Sequence, residues 1–197
     1  MKFLKLKLIF AIFLFSLSTG CLHDSNDKHT VTEIEGNWES SCNAVPPFIN
    51  FYEKSILKVA NLTIESIYTT FSDVDCSLPD LSFRFVGSFV IGNELIISSG
   101  TTVKELDKKV NLFYATPKSD QLTEKYNNNE LCEKSWSKNV EHEITGCNDF
   151  EFAISSEHFD IVYIEENTLY LGDGDSGDGS SVEFRPTELH ERKFMKM

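Results

Sequence analysis

The chain has no apolar run long enough to cross a bilayer, which takes about 20 residues; its longest, Leu8 to Phe15, has eight. Proline is scarce, at 5, so proline-rich linkers are excluded and a packed body is favoured. Basic residues are outnumbered, 18 against 31, leaving a formal charge of −13. An acidic chain repels phosphate backbones, which argues against nucleic acid as a partner and against electrostatic docking on anionic lipid. No Cys-x-x-Cys and no Cys–His pair at ligand spacing occurs, so the cysteines do not read as a zinc site and no metal centre or cofactor is expected from them. After the first 20 residues, no stretch of helical period exceeds about ten residues.

What is present begins with address. Lys2, Lys5 and Lys7 precede LIFAIFLF, and Leu17-Ser-Thr-Gly-Cys21 follows. A basic start, a short apolar stretch and small residues before a break make a targeting signal over residues 1–20. The run LSTGC resembles the lipobox of bacterial lipoproteins, with Ser18 where that family usually has Leu and Leu17 one place earlier. The resemblance implies that Cys21 carries a diacylglycerol on its thiol and a third acyl chain on its amine. At about 0.8 kcal/mol per buried methylene, such chains anchor stably. Leu22, not Asp, follows Cys21, which by the enteric sorting rule favours the outer over the inner membrane of the cell envelope.

The signal holds three of the lysines and none of the acids, so the mature chain has 15 basic and 31 acidic residues, a charge of −16. Residues 21–33 read as the lipidated cysteine and a polar tether, which extends no further than roughly 40 Å. Residues 34–197 suit one domain with a sizeable core. Phenylalanine is plentiful, at 16.

Period-two segments dominate that domain. Strands are expected over Trp38–Cys42, Ser55–Val59, Leu62–Phe71, Leu81–Ile91, Glu94–Ser98, Val103–Leu106, Val110–Ala115, Phe150–Ser155, Ile161–Glu165, Thr168–Leu171, Val182–Phe184 and Leu189–Phe194. Gly92-Asn93 and Asp107-Lys108-Lys109 read as hairpin turns, as do Ala60-Asn61 and Glu166-Asn167. Pro117–Asn129 breaks the alternation, with a short helix over Asp120–Tyr126. Many short strands in one domain of this size imply an all-β fold, an antiparallel barrel or sandwich. With strands running alternately up and down, Cys42 and Cys76 emerge at one rim and pair. Cys132 and Cys147 are left to close a local loop, giving two disulfides in an exported chain.

Gly36-Asn37-Trp38 resembles the G-x-W that opens the first strand of lipocalins and related calycin barrels. Trp38, Ser41, Cys42, Asp73, Asp75, Cys76, Cys132, Trp136, Gly146, Cys147 and Arg185-Pro186-Thr187 together resemble a group of bacterial exported lipoproteins. That group is similar to the extracellular domain of adenomatosis polyposis coli down-regulated proteins. The resemblance implies a lipocalin-like barrel or half-barrel able to hold an acyl chain. It also implies that Gly36, Trp38 and a late arginine, Arg185 or Arg192, close one barrel end, the guanidinium lying over the Trp38 ring.

Chemistry is harder to find. Gly174-Asp175-Ser176-Gly177 spells the nucleophile run of trypsin-like proteases. Asp178 stands where the second glycine belongs, however, and His142, His158 and His190 sit in ordinary polar surroundings. Glu165 and Glu166 are adjacent on a strand and so point apart. Asp173, Asp175 and Asp178 could offer oxygens to a weak calcium site, but their spacing fails the EF-hand pattern. The ordinary reading of Leu171–Ser181 is a solvated hairpin tip in which the glycines take positive φ. No catalytic residue is assigned and an enzyme is not expected. The leading expectation is a lipid-anchored envelope binding protein holding a fatty acid or other apolar molecule, with Phe83, Phe85 and Phe89 on one face. The alternative is a filled barrel acting as a structural or protein-interaction lipoprotein, whose protein partner the sequence does not name.

Overall fold

The computed structural model describes residues 33–45, 51–150 and 156–197. The signal, Cys21, most of the tether and nearly all of the expected strand Phe150–Ser155 lie outside them. The elements run β1 (Gly36–Ser40), β2 (Asn43–Ala44), β3 (Tyr52–Ala60), β4 (Thr63–Phe71), β5 (Pro79–Ile96), β6 (Thr102–Pro117), α1 (Asp120–Asn128), β7 (His142–Glu143), β8 (Ser156–Glu165), β9 (Thr168–Gly172) and β10 (Leu189–Lys196). Neighbours follow the order β1-β10-β9-β8-β6-β5-β4-β3, and β3 pairs back onto β1. Eight antiparallel strands thus close a barrel, which removes the free edges an open sheet would carry. The short β2 adds to β3, and β7 to β6.

Two expected turns are not turns. Gly92-Asn93 lies inside β5, at a bulge between Ile91 and Glu94 where the Asn93 N–H donates to the Glu105 carboxylate. The chain reverses only at Ser98-Ser99-Gly100, with Gly100 at φ 84°. Asp107-Lys108-Lys109 is mid-strand in β6. Its lysines resemble a turn in sequence, yet each finds an acid on β8: Lys108 meets Asp160 at 2.6 Å and Lys109 meets Glu157 at 3.3 Å. A second bulge, between Val86 and Gly87, brings the Lys109 carbonyl so close that a Cβ on Gly87 would sit 2.1 Å from it. Only glycine fits there.

Asn61 and Leu62 both take positive φ between β3 and β4, the pattern of a tight hairpin. The helix is longer than expected. The Ser119 hydroxyl caps it by accepting from the Leu122 N–H at 3.2 Å, and Tyr126 is its buried residue. Val182–Phe184, expected as a strand, is a single 3-10 turn with Val182 and Phe184 exposed. Its Phe184 carbonyl accepts from the Gly179 N–H instead of from a strand partner.

Strand register divides the core. Trp38, Leu57, Val59, Ile64, Phe89, Leu106, Val162, Leu169 and Phe194 fill the interior toward the end where the chain enters. Each buried side chain of this size contributes about 1.5–3 kcal/mol. Toward the opposite end Phe113, Tyr126, Trp136, Ile144 and Phe150 pack with Phe83 and Phe85 into an aromatic cap. Phe85 meets Phe113 edge-on at 5.5 Å, and Tyr126 meets Trp136 at 5.0 Å. A third cluster gathers Ile97, Val103 and Ile161 with Leu189.

Candidate ligand site

The structure joins Cys42 to Cys76 and Cys132 to Cys147, with Cα atoms 5.8 and 5.5 Å apart. The second bridge holds the loop that carries Trp136 onto the aromatic cap. Asn127 fixes that loop further, accepting from the Trp136 N–H at 2.7 Å and donating to its carbonyl at 2.9 Å.

Trp38 is 1% exposed and its indole N–H donates to the Ile34 carbonyl at 2.9 Å. The cation over its ring is Lys196, at 5.2 Å, not Arg185 or Arg192. Gly36 makes room for that lysine: a Cβ there would lie 3.0 Å from the Lys196 Cε. Arg185 instead lies over Phe159, pairs with Asp107 at 2.7 Å and donates to the Asp160 carbonyl at 2.6 Å. It belongs to the long β9–β10 connection, which packs against β6 and β8. That path takes it away from the first strand.

Of Leu171–Ser181, Leu171 and Gly172 end β9 and the rest lies in the same connection, a tied loop. The Ser176 hydroxyl donates to the Asp173 carbonyl at 2.7 Å and accepts from the N–H groups of Thr187 and Glu188, both at 3.1 Å. Gly177 lies so near the Phe184 and Arg185 carbonyls that a Cβ would clash, and of the loop's glycines only Gly179 has positive φ. The protease-like serine is therefore a knot in the loop's own hydrogen bonding. Asp173 accepts from the Asp175 N–H and Asp178 from the Ser180 N–H, each turning its own backbone. These carboxylates do not gather into a calcium site. Among the described residues, the one group of three candidate ligand atoms within 4.8 Å of one another is Cys132, Cys147 and Asp149, and its sulfurs are joined in the disulfide.

The arrangement with chemical potential lies where β10 meets β3. Inward positions on β3 follow Val59 and Leu57 back to Ser55 and Glu53; on β10 they follow Phe194 back to Arg192. Glu53, 3% exposed, receives the Arg192 guanidinium on one oxygen and the Tyr68 hydroxyl on the other. Nearby, the Ser40 hydroxyl accepts from the Ser55 N–H at 2.9 Å. Burial pushes the Glu53 carboxyl up to about 7 and lowers the Arg192 guanidinium from its ordinary value. The Arg192 Nε is buried with no hydrogen-bond partner.

The wall opens beside this cluster. β1 stops at Ser40, so its pairing with β10 covers only Phe194 to Lys196, while β2 pairs with β3 alone. The upper part of β10 bulges between Leu189 and Lys193, with the Arg192 N–H donating to His190 Nδ1 at 2.8 Å. The gap is a cavity of about 570 Å³ lined by Asn43, Val45, Asp175, His190, Glu191 and Arg192. That volume is in the range of small-molecule sites.

Sequence reading missed this mouth. The second expected strand begins at Ser55, two residues after Glu53, and Arg192 enters only as an alternative cation for Trp38. The available signal was parity: Glu53 is in phase with Leu57 and Val59, Arg192 with Phe194, and the two carry opposite charges. No protein-family model matches this chain, and no curated protein matches it at a significant level.

Proposed function

We propose that this chain is a lipid-anchored binding protein of the cell envelope, held in the membrane through Cys21 and taking a small polar molecule at the side mouth of its barrel. The observation that carries the reading is the 570 Å³ cavity lined by Arg192, whose buried guanidinium Nε has no hydrogen-bond partner. A group of that cost is retained where it meets a ligand more readily than where it only packs. The filled entry end, with Trp38 and Leu169 at 1% exposure, supports a polar ligand at the mouth over an acyl chain in the interior. That filling equally favours a scaffold role for the barrel's lower half.

Anchoring rests on the LSTGC run. Cells expressing the protein and fed labelled palmitate should yield a labelled band in the membrane fraction, absent for Cys21→Ser. An unlabelled wild type recovered in the soluble fraction would remove the anchor. For the site, native mass spectrometry of the cell-derived protein should show a small bound mass that Arg192→Met loses. A mass that survives this change would place the ligand elsewhere.

A further inference from the structure

Granting that the mouth binds a ligand, we infer that the ligand is a small zwitterion of the amino-acid class, its ammonium toward Asp175 and Glu191 and its acid group toward Arg192 and His190. Asp175 and Glu191 line the cavity, are exposed, and bond to no other described residue through their side chains. The Arg192 Nε–H is buried and unpartnered. His190 Nδ1 accepts from the Arg192 N–H, so in the neutral ring the proton sits on Nε2, which is left as a second donor. The lining thus offers both acceptors and donors within one cavity.

Charge complementarity excludes the simpler ligands. A plain anion would meet Arg192 already paired with Glu53, and would face two further free carboxylates. A plain cation would leave the guanidinium Nε–H unsatisfied and buried, which costs about 1–3 kcal/mol. A metal ion lacks convergent ligands, because Asp175, His190 and Glu191 are not among the groups whose ligating atoms fall within 4.8 Å of one another. A molecule with an ammonium at one end and a carboxylate at the other satisfies both sides.

The test is isothermal titration calorimetry on the full mature lipoprotein in detergent micelles. Free glycine, leucine, glutamate and lysine serve as probes, each beside its N-acetyl and its amide derivative. At least one free amino acid should bind, with its N-acetyl and amide forms about tenfold weaker or more. Asp175→Asn combined with Glu191→Gln should erase the penalty for acetylation, and Arg192→Met the penalty for amidation. Because the Arg192 change leaves Glu53 unpaired, Arg192→Met is also made together with Glu53→Gln, with near-ultraviolet circular dichroism to show that each variant is folded. Derivatives that bind as well as their parents would overturn the zwitterion while leaving the mouth as a site. No binding by any probe would overturn this inference, and a co-purified mass that survives Arg192→Met would remove the mouth itself.

Discussion

Two regions of the barrel interior follow opposite rules. Toward the chain entry, inward positions are Trp38, Leu57, Val59, Ile64 and Leu169, packed together. A few residues along the same strands, the inward positions become Ser40, Glu53, Ser55, Tyr68 and Arg192, and the wall beside them parts. Both regions cost conformational entropy to order; the apolar cluster returns that cost as apolar burial, and the polar one does not. A buried ion pair is weak evidence for stability, since desolvation offsets most of its attraction. The difference teaches where to look for function: at the cluster that stability alone would not have built.

Four changes sharpen or break that contrast. Trp38→Ala, at the apolar end, should destabilise by about 3–5 kcal/mol in urea unfolding, through lost burial and the cavity left behind. A small effect would mean that the entry end is loosely packed. Opening the Cys132–Cys147 bridge by changing both cysteines to Ser should cost about 3 kcal/mol in the chain-entropy model, with amide exchange rising first over α1 and Trp136. Uniform exchange would show that the aromatic cap is not a separate unit.

Acidity separates the two regions next. With the Glu53 carboxyl pushed up to about 7 in the folded state from an ordinary 4.5, the folded chain binds the proton more tightly than the unfolded one. The resulting contribution is complete below pH 4.5 and declines as pH rises to about 7. Glu53→Gln should flatten that slope, whereas Trp38→Ala should shift stability without changing it. The smallest effect belongs to Ser176→Ala, which unties one hydroxyl from three loop partners and should cost about 1 kcal/mol. Full stability would show that Arg185 and the loop's backbone bonds hold it without Ser176.

Much of the barrel was legible before folding. Period-two alternation located β3, β4, β8 and β9 to within a few residues, and the up-and-down order implied the disulfide pairing the structure contains. What escaped was whatever depended on a partner strand. Asp107-Lys108-Lys109 looks like a turn until Asp160 and Glu157 supply the opposing charges. Gly92-Asn93 carries the composition of a hairpin, yet bends one strand instead of reversing it. Arg185 was assigned to Trp38 by resemblance, and Lys196 took the place because Gly36 clears its path. The mouth was the least legible feature, because it is an absence of pairing between β10 and the chain beyond Ser40. Only tertiary structure records an absence of that kind.

The contrast between the two regions is tested most directly by removing the polar cluster as a unit. In Glu53→Leu, Tyr68→Phe, Arg192→Met, apolar groups replace the buried ion pair and its hydroxyl together. If the cluster is there for a ligand, the triple variant should unfold at equal or higher denaturant than the wild type and lose the co-purified molecule. A variant that loses stability on the scale of Trp38→Ala and still retains its ligand would contradict it.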